Sequence, residues 1–477
     1  MDTPKDPDAA TSKLVLLQID GLSFRQFRRA MREGRMPNCT DLLEKGGQLR
    51  PLYSGIPSST PAFQAELFYG VPGAVPAFSF FDRRAGISRI MRRPLDIRTV
   101  AESRFDGKKP LLENGSVYSS IYHGGAEETH FNPHAFPEIA SSLRRFYHLH
   151  FYSILGLVRI LGRLTLHLPL ELLRSVAGLL QGLWLREPFR EELNMIGTRL
   201  AVKILAREII HEGIIDDIRR GLPVIQANFL AYDECAHRRG PETPYAHRAL
   251  TSIDNVIGSI HHFVRRKAPG YRILVYSDHG QETVEPYSKR HPLPFVKEVE
   301  RLWREHRPTS GSRNPIVCDK GPLGHVYFPQ SLGIDECRIL ALKLARISPG
   351  AGVIWKDREK RVFLVHSKGT VPLQEAQPWL LTPHHRFRQW IMEDLYALAQ
   401  HPDSGDLIAL GWTPHAAPSS FAEENGAHAG PGPEETCAFL FAPSGGLPEK
   451  EHLRGRDLYD FTFRLLRGDP PPLPVSS

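Results

Sequence analysis

Val275-Tyr276-Ser277-Asp278-His279-Gly280-Gln281-Glu282, preceded by Arg272-Ile273-Leu274, is the stretch on which the reading of this chain turns. An apolar strand ends on an Asp-His pair and then turns at a glycine. A carboxylate and an imidazole side by side at the C-terminal edge of a strand suit a metal ion in an open α/β sheet.

The neighbouring segments extend the same pattern. Residues 13–19 read as a buried first strand that ends on Asp20-Gly21, and residues 24–44 have helical periodicity. Residues 219–232 give a helix end, a Gly-Leu-Pro turn and the apolar strand 224–230. A helix over 243–267 leads into the strand 271–277. Strands alternating with helices predict a doubly wound, mostly parallel sheet in an α/β/α sandwich. Such sheets carry their sites at the C-terminal strand ends, where Asp20, Asp233 and Asp278 all fall.

The chain has 477 residues, enough for a large catalytic core with insertions. With 41% hydrophobic and 24% charged residues it is composed like a folded globular protein. The net charge of +7 fits attraction to phosphate-bearing substrates or an anionic membrane surface. No zinc-finger spacing, RNP-like aromatic strand or long basic block marks a nucleic-acid-binding module. Five scattered cysteines without a CxxC argue against a disulfide framework and for a reducing compartment. The polar residues 1–12 carry no basic-then-apolar leader pattern, so a cytoplasmic location is expected, with peripheral membrane contact as its variant.

Two stretches interrupt the alternation. The expected core therefore comes in three parts, 13–112, 200–307 and 403–467. Between the first two lies an apolar helical insertion, 113–199, whose Leu-rich middle spans 146–185 and holds Arg159, Arg163 and Arg174. Its readings are a buried helical cap or an amphipathic hairpin in a membrane interface. No uncharged run there reaches the ~18 residues of a spanning helix. Residues 308–402 read as a small α+β lobe, with His325 as a core histidine in an apolar strand. Residues 468–477, with four prolines, read as a disordered tail.

Five segments carry candidate chemistry, and each has a plainer reading when taken alone. Asp20-Gly21 is a common turn, or a metal carboxylate on the first strand. In Ser58-Ser59-Thr60-Pro61, Thr60 suits an N-cap with proline at the first helical position. A hydroxyl there also sits where helix N–H groups favour an anion, and a nearby ion makes it a nucleophile. Ser58 and Ser59 are neighbouring candidates. Asp233 and His237, four apart, share one helical face and suit a common ion, whereas Cys235 points away and Glu234 reads as solvated. Asp278-His279 is the fourth segment. The fifth is the glycine-rich loop around His428, ahead of an apolar strand over 436–442. Three Asp and three His, all at strand ends or adjoining loops, are hard to produce by chance.

With these motifs in this order the chain resembles the alkaline phosphatase superfamily, in its type I phosphodiesterase/nucleotide pyrophosphatase branch. The likeness rests on Gln18-Ile19-Asp20-Gly21, Pro57-Ser58-Ser59-Thr60-Pro61, Tyr232-Asp233 through His237 to Gly240-Pro241, Ser277-Asp278-His279-Gly280 and Gly426-Ala427-His428. It implies two divalent ions, usually zinc, with manganese allowed by the ligand types. Asp20, Thr60, Asp278 and His279 would hold one ion, and Asp233, His237 and His428 the other. Thr60 would attack phosphorus and form a phospho-threonine intermediate that water hydrolyses.

Three departures bear on the substrate. The family's asparagine shortly after the nucleophile is absent, and Gln64 is the residue left to replace it as a donor to phosphate oxygen. Ala429-Gly430 follows His428 where many members have glycine directly. The 113–199 insertion is foreign to the soluble nucleotide pyrophosphatases. A phosphodiesterase acting on a phosphoester, lipid-linked if the insertion meets a membrane, is the expected function. A phosphoethanolamine-type transferase is the rival on the same fold. A non-catalytic membrane-associated binding protein is the rival of another class. A sulfatase is disfavoured, because Thr60-Pro61-Ala62-Phe63 lacks that group's arginine.

Overall fold

The computed structural model describes residues 12–133, 162, 165, 206–307, 313–330, 332–348, 350–366 and 368–468. Apart from residues 162 and 165, the expected helical stretch 146–185 lies outside these residues, as does the tail beyond Gly468.

Among the described residues the main sheet has eight strands, in the spatial order Leu453–Arg454, Gln48–Tyr53, Cys437–Ala442, Tyr271–Tyr276, Lys13–Ile19, Val224–Phe229, Ser116–Tyr118 and Glu128–His130. The five from Tyr271–Tyr276 to Glu128–His130 run parallel. Cys437–Ala442 alone runs antiparallel to both of its neighbours.

The central strands are apolar throughout because both faces are covered. Val15, Leu17 and Ile19 point into one core with Ile225, Ala227, Ile273 and Val275. Leu14 and Leu16, offset by one residue, point into the other with Val224, Leu274 and Tyr276. The first core is closed by the helices Phe24–Arg32, Pro37–Glu44, Arg207–Arg220 and Pro244–Lys267. The helices Thr60–Tyr69, Pro94–Arg104 and Gly455–Arg467 close the second. This is the expected α/β/α sandwich. The helical periodicity over 24–44 resolves into two helices, broken ahead of Pro37.

A second sheet stands beside the first, wholly antiparallel, in the order Ile316–Lys320, Leu323–Tyr327, Leu407–Leu410, Gly352–Lys356, Val362–His366 and Gly369–Pro372. Leu407–Leu410, read from sequence as part of the third core segment, pairs on both sides inside this sheet. His325 is buried there and its Nδ1 accepts the Gly405 N–H at 3.1 Å. Burial pushes its pKa down to about 3, so it stays neutral in the core. No helix among the described residues is long and apolar enough to cross a membrane.

The strand directions bring the five segments together. Asp20, Asp233 and Asp278 follow parallel strands, and the loop to Thr60 follows Gln48–Tyr53, so all leave the same edge of the sheet. His428 precedes its strand instead. It reaches that edge because Cys437–Ala442 runs the other way, with Leu440 opposite Tyr276 and Cys437 opposite Tyr53.

Candidate active site

Two clusters of ligand-type side chains form at this edge. Asp20, Asp278 and His279 make a buried one, and Asp233, His237 and His428 a half-buried one. Within each, the donor atoms lie within 4.8 Å of one another. In the first, His279 Nε2 is 3.5 Å from Asp20 Oδ1, 3.3 Å from Asp278 Oδ2 and 3.3 Å from Thr60 Oγ1. In the second, His237 Nε2 is 3.4 Å from Asp233 Oδ2. His428 joins the two: its ring stacks on His279 at 3.7 Å and tilts towards His237 at 5.0 Å.

The donors fit divalent ions. Four tetrahedral donors about 2.0–2.1 Å from an ion stand about 3.3–3.4 Å from one another. The 3.3–3.5 Å edges found here match that polyhedron. Asp20 Oδ1 and both Asp278 oxygens are buried without a hydrogen-bond partner. Buried carboxylate oxygens require compensation, and a cation supplies it. Burial holds the Asp20 carboxyl well above its ordinary range, reinforced by Asp278 and Asp233. Burial likewise raises Asp278, against the pull of His279. Burial works against ionised Asp233 too, yet His237 and the other imidazoles hold its pKa down.

Each histidine is aimed by its other ring nitrogen. His428 Nδ1 lies 2.8 Å from the Ser58 carbonyl, and His279 Nδ1 lies 3.1 Å from that of Gly280. His237 Nδ1 lies 2.9 Å from the Gly426 carbonyl and 2.9 Å from Glu424 Oε2. These contacts leave every Nε2 as the free donor, the usual arrangement at a metal. Burial, then His279 and His237, push His428 well below the ordinary imidazole range, so it is neutral and ready to ligate. Burial lowers His237 as well, but Asp233 and Glu424 outweigh it and hold that imidazole raised.

Thr60 opens the helix Thr60–Tyr69, with Ser59 in the N-cap position. This corrects the sequence expectation by one residue. Only Ser58 is tied up in hydrogen bonds, while Ser59 lines the same cleft as Thr60. Ser58 Oγ donates to the Gly430 carbonyl at 3.1 Å and accepts the Ala429 N–H at 3.0 Å, while Ser59 Oγ is buried without a partner. Thr60 Oγ1 faces the buried cluster.

Gln64 is not where a phosphate donor would be. It is fully buried, with Nε2 donating to Gln18 Oε1 at 3.2 Å and Oε1 accepting the Ile121 N–H at 2.9 Å. Both ends of its amide are thus satisfied beneath the site, in a network with Gln18, Tyr276 and Gln226. Glu234 is exposed and Cys235 buried, as the helical face required.

Three residues with no motif of their own complete the site. Asn228 Nδ2 donates to Asp20 Oδ2 at 2.6 Å. Gln281 Nε2 donates to Asp233 Oδ1 at 2.5 Å and to its carbonyl at 3.2 Å. Glu424, held by Ser420 Oγ at 2.5 Å, backs His237. Amides at a strand end were the only sequence signal, and they are common there. Gly21 matters for space: it has a φ of +73°, and a Cβ would collide with the Asp233 carboxylate.

The clusters open into a cleft of about 430 Å³. Asp20, Thr60, Asp233, His237 and His428 line it on one side. Phe78, Met91, Ile121, Phe131 and Leu230 form an apolar wall, and exposed Arg92 and Lys320 stand on its rim. Lys320 comes from the second sheet, so both sheets shape the entrance.

Residues 181–339 match the model of the type I phosphodiesterase / nucleotide pyrophosphatase family, which bears out the resemblance read from the motifs. That span holds Asp233, His237, Asp278 and His279. Phosphonoacetate hydrolase from Sinorhizobium meliloti 1021, in complex with phosphonoformate, is similar in structure with a TM-score of 0.53 at 14% identity, covering 96% of each chain. Human ectonucleotide pyrophosphatase / phosphodiesterase 5 is similar with a TM-score of 0.54 at 12% identity, over 97% of this chain and 96% of that one. An inactive murine counterpart in complex with AMP gives 0.54 at 14% identity, over 96% and 95%. At these identities the structures show the fold. No curated protein gives a significant match to the sequence.

Proposed function

We propose that this chain is a phosphodiester hydrolase that uses Thr60 as its covalent nucleophile and would depend on two divalent ions. The observation that carries the proposal is the place of Thr60 Oγ1, at the head of a helix, 3.3 Å from His279 Nε2. The family match supports a phosphoric ester hydrolase.

Asp20, Asp278 and His279, with Thr60, would hold one ion, and Asp233, His237 and His428 the other. Zinc is the metal that best suits these mixed imidazole and carboxylate donors. Bound there, the pair would neutralise phosphoryl charge and lower the pKa of a hydroxyl and of a water. The chain's own residues do the rest. The helix start presents Thr60 and favours the anionic group. Asn228 and Gln281 hold Asp20 and Asp233 in place. The bond from Thr60 Oγ1 to phosphorus forms as the bond from phosphorus to the leaving oxygen breaks, and the threonine proton ends on the departing alcohol. Water then adds at phosphorus, the bond to Oγ1 breaks, and Thr60 regains a proton as the monoester leaves.

Transfer to an alcohol instead of water is the second reading, favoured by the apolar wall that an alcohol acceptor would share. Contact with an anionic membrane through 146–185 belongs to the same proposal. Liposome flotation of the full chain against a variant lacking 146–185 tests that contact. The central test is Thr60→Ala in the metal-loaded protein, assayed on bis(p-nitrophenyl) phosphate. Turnover should vanish while the protein stays folded and metal analysis still finds two ions per chain. Full turnover in that variant would remove Thr60 as nucleophile, and a wild-type protein that binds no ion would remove the mechanism.

A further inference from the structure

A second cavity opens beside the catalytic cleft. It measures about 310 Å³ and shares Ser119, Phe131, Asn228 and Leu230 with the cleft, so the two lie side by side. Its floor is buried Ile210, Phe229 and Ile253, and half-buried Ile209 and Ser252 stand at its sides. The strand Val224–Phe229 and the helices Arg207–Arg220 and Pro244–Lys267 supply most of it. We infer that this groove receives a hydrocarbon chain of the substrate, so that the natural ester is a phosphodiester with an alkyl, acyl or isoprenoid group. The inference rests on the proposed hydrolase reading and extends it to a substrate class.

Three observations support that occupant. The groove begins at Asn228, whose side chain is bonded to Asp20, so a chain lying in it stays attached to a phosphorus near Thr60. The surface its described residues present is mainly apolar. A nucleobase would bring several donors and acceptors that such walls leave unpaired, each at a desolvation cost. Phe131, which lines both cavities, is 43% exposed and holds a φ of +52°. A bulky non-glycine residue held there is strained, and such strain gathers at ligand clamps. Among the described residues Arg207, paired with Glu208, is the one charged side chain lining the groove, whereas Arg92 and Lys320 stand on the rim of the cleft.

The test is a series of p-nitrophenyl alkyl phosphodiesters, from methyl to octyl, with the metal-loaded full chain. Burial of one methylene corresponds to about fourfold in kcat/KM, so the series should climb by about that factor per carbon until the groove is filled. Ile209→Asp and Ser252→Phe alter the groove without touching the cleft. Both should flatten the climb while turnover of the methyl ester persists. Inhibition by alkyl phosphates should follow the same order, a binding readout independent of turnover. A methyl ester that is hydrolysed, with no gain on lengthening, overturns this inference and leaves the hydrolase standing. A climb that survives both substitutions also overturns it, because the chain then lies elsewhere. If Ile209→Asp instead abolishes methyl ester turnover and lowers the melting temperature, the groove packs the protein's own chain, which again refutes the inference. Failure of every ester, the methyl one included, refutes the underlying hydrolase reading.

Discussion

Gln281→Leu should weaken ion binding at one cluster and spare the other. Gln281 is buried, and its Nε2 gives Asp233 Oδ1 a 2.5 Å hydrogen bond and the Asp233 carbonyl a second at 3.2 Å. Its own backbone is fixed by Gln26 Nε2, which donates to the Gln281 carbonyl at 3.1 Å. Gln281 Oε1 has no partner, so leucine loses nothing at that end and fills nearly the same volume. The perturbation is therefore the loss of both Nε2 hydrogen bonds, and the one that bears on the carboxylate is charge-assisted, worth about 1.5–3 kcal/mol. Expressed as ion affinity, that is roughly ten- to hundredfold, the range found when a group behind a ligand is removed. The loss should fall on the ion held by Asp233, His237 and His428. Asp20, Asp278 and His279 are untouched. Titration of the metal-free variant with zinc, read by calorimetry, should show one site near wild type and one weakened. Diester turnover should drop at limiting zinc and return in excess. Equal affinities in wild type and variant, or a loss that no excess of zinc restores, would refute the assignment of Gln281 as the residue that positions Asp233.

Other tests bear on the scaffold. Glu66, on the helix that begins with Thr60, accepts Arg454 Nε at 2.6 Å and the Arg456 N–H at 3.0 Å. Glu66→Ala should destabilise the protein by roughly 3 kcal/mol, the low end for a broken buried pair, because Asp394 remains 3.5 Å from Arg454; the urea midpoint measures it, and no shift would refute it. Ala429 holds a φ of +107° beside His428. Ala429→Gly should relieve about 1–3 kcal/mol of strain against about 0.5–1 kcal/mol of added unfolded-chain entropy, for a net rise in melting temperature. Burial, then Glu282, raises Glu435 to about 8, and burial, then Glu434, raises Glu282 to about 7. Both keep a proton in the fold that the unfolded chain loses near pH 4.3, so the stability they contribute is complete below that pH and is lost as pH rises through 7 to 8. The fall approaches about 1.4 kcal/mol per pH unit per group, and Glu435→Gln should flatten it in denaturation curves taken between pH 5 and 9.

Much of the site could be read along the chain because its geometry is local. Asp278 and His279 are adjacent, and Asp233 and His237 are one helical turn apart. An apolar run before each acidic residue placed it at a strand end. Gln64 suggested a phosphate donor only because the family's asparagine is missing after Thr60. The side chain instead turns under the helix to Gln18. Gln281 gave only the weak signal of an amide after a strand, since its partner Asp233 lies 48 residues away. The N-cap moved from Thr60 to Ser59 because both hydroxyls are chemically suited to it.

The sequence by itself determined the α/β/α class, the ligand types and the order in which they arrive. Period and composition act over a few residues and survive without tertiary context. Tertiary structure alone decided that Cys437–Ala442 runs against its neighbours, which carries His428 to the edge where the aspartates end. It alone separated a buried cluster from a half-buried one and set an apolar groove beside the cleft. Those features follow from which strands pair and how two cores close around them. They are sums of many weak contacts between residues far apart in the chain, and no short stretch of sequence encodes such a sum.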